Sequence, residues 1–176
     1  YTTTYTVEKT NGQEWQRDYV YVHEFGHSFG GLGDEYYSSS TGYTDFYPAG
    51  VEPWEPNLTR LLHAPTVKWQ SAASDGLPVP TDWGKASYDS IGVELSKLDR
   101  LAVDYYSKRD PLRKKQETVL KSTALLGKVG AFEGAGYSST GLFRPALDCR
   151  MFSLSLVDFD PVCRAAIEQQ IDFYSK

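Results

Sequence analysis

His23, Glu24 and His27 form the pattern His-Glu-x-x-His, which supplies two metal ligands and one catalytic carboxylate from a single helix. Residues four apart share a helix face, with Cβ atoms about 5–6 Å apart, so both imidazoles can point at one ion. Zinc takes imidazole nitrogen at about 2.0–2.1 Å, and a catalytic zinc keeps three protein ligands and an open position for water. Glu24 lies one residue round from His23. There it is placed to take a proton from that water rather than to bind the ion.

The third ligand must come from the residues after His27. The metzincin pattern, His-Glu-x-x-His-x-x-Gly-x-x-His, would put it at position 33, which here is Gly33. Asp34, one place further on, is the expected ligand, with Gly31 absorbing the offset and Glu35 as the alternative. Gly30 is expected to turn the chain out of the helix through a left-handed conformation. His63, the remaining histidine, reads as an ordinary surface residue.

These residues need a helix beneath them and a frame around it. The spacing predicts a helix that begins at Gln13 or Arg17 and ends at Phe29, with Val22, Phe25 and Phe29 as its buried stripe and Gly26 allowing a close approach. Before it, residues 1–9 alternate as a strand and Asn11-Gly12 makes a turn. Residues 36–62 form a long loop bearing Tyr43, Phe46, Tyr47 and Trp54, the length and composition of a functional loop.

Residues 67–70 read as a short strand, and residues 76–82, with Pro78 and Pro80, as extended chain. Helical periodicity returns with Ile91, Leu95, Leu98, Ala102 and Tyr105 on one stripe. Asp110-Pro111 starts a second helix running to Leu126, with Gly127 as its stop. The pair reads as an inserted helical hairpin over residues 87–127. Residues 128–133 read as a strand, and residues 134–141 as a flexible turn leading to Leu142. Met151, the chain's single methionine, precedes a last helix capped by Asp160-Pro161, with Cys163, Ile167, Ile171 and Tyr174 on its apolar stripe.

A length of 176 residues suits one domain, residues 1–176, with a core of useful size. The net charge of −5 argues against a nucleic-acid partner. The cluster Lys108, Arg109, Arg113, Lys114 and Lys115 reads as a solvated helix face. No apolar run is long enough to span a membrane. Cys149 and Cys163, an even count without a Cys-x-x-Cys motif, read as a disulfide of a secreted protein. Asn57-Leu58-Thr59 is a glycosylation sequon. Few residues precede the histidine pair, so a longer parent chain is expected to supply further strands of an N-terminal sheet.

Several separated blocks resemble the IgA peptidase family of bacterial metzincin zinc metallopeptidases: HEFGHSFGGLGDEYY, VEPWEPNLTRL followed by VKWQ, GLPVPT, VGAFEGAGYSSTGLFRP, and DCRMFS followed by PVC. The resemblance implies an α+β metzincin-like zinc peptidase domain with an active-site helix, a methionine turn and a C-terminal helix. It implies Zn2+ at His23, His27 and Asp34, Glu24 as the catalytic base, and Met151 beneath the metal. It also implies that residues 133–144, including Glu133, wall the substrate cleft. Asp160 stands where relatives often carry another cysteine.

The expected activity is zinc-dependent endopeptidase hydrolysis of a protein or peptide substrate outside the cell, secreted or at the cell surface, with Tyr36 or Tyr137 as transition-state donors. The competing reading is a surface module binding protein or glycan, in which zinc is structural and the aromatic loop makes the contact. A third ligand on a later helix, such as Glu94, would make a gluzincin, against which Gly30 and Met151 speak.

Overall fold

The computed structural model describes residues 14–37, 46–153 and 157–176. The expected strand at residues 1–9, the Asn11-Gly12 turn and Tyr43 lie outside the described residues. Among those described, the architecture is α+β: helices α1 (Glu14–Ser28), α2 (Lys85–Ser96), α3 (Tyr105–Lys121) and α4 (Pro161–Tyr174), with strands β1 (Phe132–Ala135) and β2 (Ser138–Arg144). No described helix is long and apolar enough to cross a membrane.

Helix α1 turns its histidine face inward. Tyr19, His23, Gly26 and Gly30 are buried, whereas Phe25 is 39% exposed and stacks on half-buried Phe29 with ring centroids 4.9 Å apart. The expected Val22/Phe25/Phe29 stripe is therefore not the core face. Gly26 explains the choice, because a Cβ there would meet Met151 Sδ at 2.8 Å and Phe159 at 3.0 Å. Side chains make the close approach at Gly26.

The helix ends in an αL cap, with Gly31 N–H donating to the His27 carbonyl and Leu32 N–H reaching back to that of Gly26. Gly31, at φ +63°, is the left-handed residue; Gly30 instead packs where a Cβ would meet Ile167 at 2.9 Å. The predicted strand at residues 67–70 is a turn entering a short 3-10 helix, Gln70–Ala72.

Residues 134–141 are a hairpin, not a flexible turn. β1 and β2 pair antiparallel with Phe132 opposite Arg144 and Ala135 opposite Ser138, and an irregularity falls at Gly134. Gly134 has φ +102° and lies against the Tyr37 ring, so neither its backbone nor its space admits a side chain. Bridges from Tyr37 to Tyr137, Thr59 to Phe143 and Thr81 to Phe132 extend the pairing to three loops. The sequence hid this strand because its turn is rich in Gly and Ser.

The helical hairpin is present, but its second helix starts at Tyr105, not Pro111, and ends at Lys121, short of Leu126. Pro111 sits inside α3, where its missing N–H leaves only the carbonyl of exposed Ser107 without its helical bond. Asp110 consequently caps nothing. Helix α2 has no buried residue, and α3 reaches the core through Gln116 and Leu120. In α4, Asp160 caps as expected, accepting from Val162 N–H and Cys163 N–H. The stripe there ends early: Val162, Cys163 and Ala166 are buried, but Ile171 and Tyr174 are 48% and 73% exposed.

The main core gathers Leu32, Trp83, Phe132, Leu147, Met151, Phe152 and Cys163. Fully buried Arg144 holds it to the hairpin, donating from Nη1 to the carbonyls of Gly134 (2.6 Å) and Glu133 (3.3 Å) and from Nη2 to that of Leu147 (3.3 Å). Its guanidinium lies 4.6 Å from the Trp83 ring and 3.9 Å from that of Phe152. Replacing it with alanine removes the donors to three carbonyls and leaves a cavity. Arg144→Ala is expected to cost about 3–5 kcal/mol, read as a lower urea midpoint. Arg144→Lys should recover little of this, because an ammonium cannot reproduce the planar fork.

Candidate metal centre

Two carbonyls fix the imidazoles. His23 Nδ1 lies 3.1 Å from the Arg150 carbonyl and His27 Nδ1 lies 2.7 Å from the Leu32 carbonyl. A carbonyl can only accept, so both Nδ1 atoms carry protons, and both Nε2 atoms are turned to the same point. Asp34 Oδ1 meets them there. It lies 3.0 Å from His23 Nε2 and 3.2 Å from His27 Nε2, and the two nitrogens are 3.1 Å apart. Donors about 2.0–2.1 Å from one tetrahedral ion lie about 3.3–3.4 Å apart, so this near-equilateral triangle fits a single zinc.

Asp34 is aimed by its neighbours. Its carbonyl accepts from Gly136 N–H at 2.9 Å, Tyr137 N–H donates to the Tyr36 carbonyl at 3.0 Å, and the Tyr137 hydroxyl donates to Asp34 Oδ2. Asn57 pins the preceding turn, accepting from Gly33 N–H at 2.8 Å and donating to the Gly33 carbonyl and Glu35 Oε1, each at 2.9 Å. Asn57 is fully buried, so the sequon is no glycosylation site in this fold. Glu35, the alternative ligand, points away from the imidazoles into the core.

Electrostatics follow from this packing. Burial pushes the Asp34 pKa up, but contacts with His23, His27 and Tyr137 outweigh it and hold the carboxyl well below the usual range. Burial lowers that of His27, yet the Asp34 carboxylate and the Leu32 carbonyl raise it above the ordinary 6.5. The cluster thus takes up a proton more readily than a free imidazole does, at the point where an ion would sit. A metal must displace that proton, so metal affinity is expected to fall on acidification, starting above pH 6.5 and approaching about tenfold per pH unit for one displaced proton. Competition with a chromophoric chelator between about pH 8 and pH 6 measures this.

Glu24 is half-buried and lines a cavity of about 220 Å³ with His27, Asp34, Tyr47, Trp54 and Tyr137. Phe46 (60% exposed) and Trp54 (69% exposed) flank it, whereas Tyr47 is core. Tyr36 lies with its ring 6.2 Å from that of His23, and its hydroxyl donates to that of Tyr137 at 3.3 Å. Glu133 is not brought in; its Oε1 accepts from Gly141 N–H at 3.0 Å across the hairpin. His63 is exposed and Met151 is buried beneath Gly26.

Sequence reasoning missed Tyr19. One helical turn before His23, it stacks on that imidazole at 5.5 Å and donates to the Arg150 carbonyl at 3.1 Å. Its i−4 spacing was the available signal.

The expected disulfide is not formed. Cys149 and Cys163 are free and buried, with Sγ atoms 3.8 Å apart, far beyond a bond of about 2.05 Å.

The sequence pattern of the family described as IgA Peptidase M64 matches residues 1–171. The chain belongs to that family. It is a peptidase family, and protein substrates follow from it. No curated protein matches the chain.

Because Tyr137 orients the Asp34 carboxylate, Tyr137→Phe should weaken metal binding by about 10- to 100-fold, the usual effect of losing a group that holds a ligand in place. Equilibrium dialysis against buffered zinc gives the number.

Proposed function

We propose that this chain is a zinc-dependent endopeptidase, with His23, His27 and Asp34 as ligands and Glu24 as general base. The observation that carries the reading is the convergence of three donor atoms at 3.0–3.2 Å beside a cavity that also contains Glu24. Two imidazoles and one carboxylate leave a fourth position for chemistry, whereas structural zinc is normally closed by four protein ligands.

His23, His27 and Asp34 would hold a zinc ion, which would supply the Lewis acidity that polarises a scissile carbonyl and acidifies water. Glu24 takes the proton of the attacking water and passes it to the leaving amine. Tyr137 holds Asp34 through its hydroxyl, and Tyr36 stands beside it as a more exposed phenol. Phe46 and Trp54 offer apolar faces for the side chains of an extended substrate. Met151, packed under Gly26, supports the helix from below in the manner of a metzincin methionine turn. The hairpin of α2 and α3 is a subdomain added to this catalytic domain, and the activity is exercised outside the cell.

The test is digestion of a diverse peptide library by the zinc-loaded protein, with internal cleavage read by mass spectrometry. Cuts within the peptides support the proposal. A protein that holds zinc at the histidines yet cuts nothing would favour the binding-module reading, with Phe46 and Trp54 as its contact surface.

A further inference from the structure

Behind the histidine site lies a second cluster of metal-ligating groups. Glu35, Cys149, Asp160 and Cys163 bring one ligand atom each to within 4.8 Å of one another, and all four residues are buried. Glu35, Cys149 and Cys163 are 0% exposed and Asp160 is 6% exposed. Glu35 Oε2 and Asp160 Oδ2 are buried without a hydrogen-bond partner, although Glu35 Oε1 receives Asn57 and Asp160 Oδ1 caps α4. Two orphaned carboxylate oxygens in one dry pocket are costly unless a proton or a cation satisfies them.

The sulfurs carry the same message. Two zinc–thiolate bonds of about 2.3 Å at a tetrahedral angle separate their sulfurs by about 3.8 Å, and Cys149 Sγ and Cys163 Sγ are 3.8 Å apart. Cys163 Sγ is 3.2 Å from Glu35 Oε1. Cys149 Sγ accepts two backbone amides, from Asp160 at 3.4 Å and Met151 at 3.5 Å. A neutral thiol is a weak acceptor, whereas a thiolate ligand is a strong one.

We propose that Glu35, Cys149, Asp160 and Cys163 form a closed structural site for a zinc-class divalent cation, separate from the histidine site. Binding displaces the two thiol protons to solvent and leaves two thiolates and two carboxylates around the ion. The N-terminus of α4, beside Asp160, and the charge of Arg144, felt by Glu35, offset the excess negative charge. The site would tie three segments together: residues 34–35, the turn holding Cys149 and Met151, and the start of α4. Since Glu35 follows Asp34 directly, the same ion would hold the third ligand of the histidine site in place.

The experiment compares zinc content, by elemental analysis, in wild type and in His23→Ala/His27→Ala, both grown and purified with zinc. The proposal expects two zinc ions per chain in wild type and one in the double variant. It also expects cobalt loaded into the double variant to give thiolate-to-cobalt charge-transfer absorption. Cys149→Ser/Cys163→Ser should lose one zinc and keep the other; if it does not fold, the first comparison still decides. A double variant without zinc, or an intact mass showing loss of both thiol hydrogens to a disulfide, would overturn the proposal. Neither result depends on whether the wild type cuts peptides.

Discussion

Glu24→Gln is expected to reduce kcat/KM for peptide hydrolysis by about 10²–10⁴-fold, the contribution of a positioned general base, while zinc content stays at the wild-type level. Glu24 neighbours His23 on α1 but lines the cavity rather than the ligand triangle, so a neutral amide of the same shape removes the base without removing a ligand. The loss should appear in kcat, because the glutamine fills the same space and leaves the Phe46 and Trp54 faces untouched. Steady-state kinetics on one cleaved peptide, with metal analysis of both proteins, separates this outcome from metal loss. A Glu24→Gln protein that retains zinc and full activity would remove Glu24 from the mechanism.

The second large effect is on the metal itself. Asp34→Ala is expected to weaken zinc binding at the histidine site by more than the about 10- to 100-fold of losing a supporting hydrogen bond, because it deletes one of the three proposed ligands outright. Cleavage should fall to background at zinc concentrations that saturate the wild type. Asp34 is well suited to the role, since burial and its contacts keep it ionised well below the usual carboxylate range. Glu35→Ala is the control for the sequence alternative. It should weaken zinc binding at the histidine site far less than Asp34→Ala does, because the Glu35 carboxylate faces Asn57 and Cys163 rather than the imidazoles.

Much of the centre was legible because its residues are close in sequence. His23, Glu24 and His27 follow from helical spacing, and Asp34 from its place one residue past the metzincin third-ligand position. Asp34 was expected ahead of Glu35, but the physical reason for that preference was not legible. It depends on the hairpin tip at Gly136 and Tyr137, which grips residues 34–36 from a hundred positions away. The same long-range pairing hid β2, whose Gly and Ser residues read locally as a turn.

The buried stripe of α1 was misplaced for a related reason. Phe25 and Phe29 are the apolar residues at helical spacing, but space beneath Gly26 and Gly30 decided which face went inward. Asp110-Pro111 misled as a helix start because a proline whose lost partner is a solvated carbonyl is tolerated inside a helix. At α4 the equivalent signal held, since the Asp160 carboxylate does meet two free amides.

Removing and restoring the metal decides whether cleavage depends on it. Zinc should be stripped with a chelator, cleavage of a library-derived peptide measured, and zinc returned in increments. A zinc-dependent mechanism predicts that internal cleavage disappears with the metal and returns with zinc in the wild type, but never returns in Asp34→Ala at the same zinc concentrations. Cleavage that persists in demonstrably zinc-free protein would contradict it.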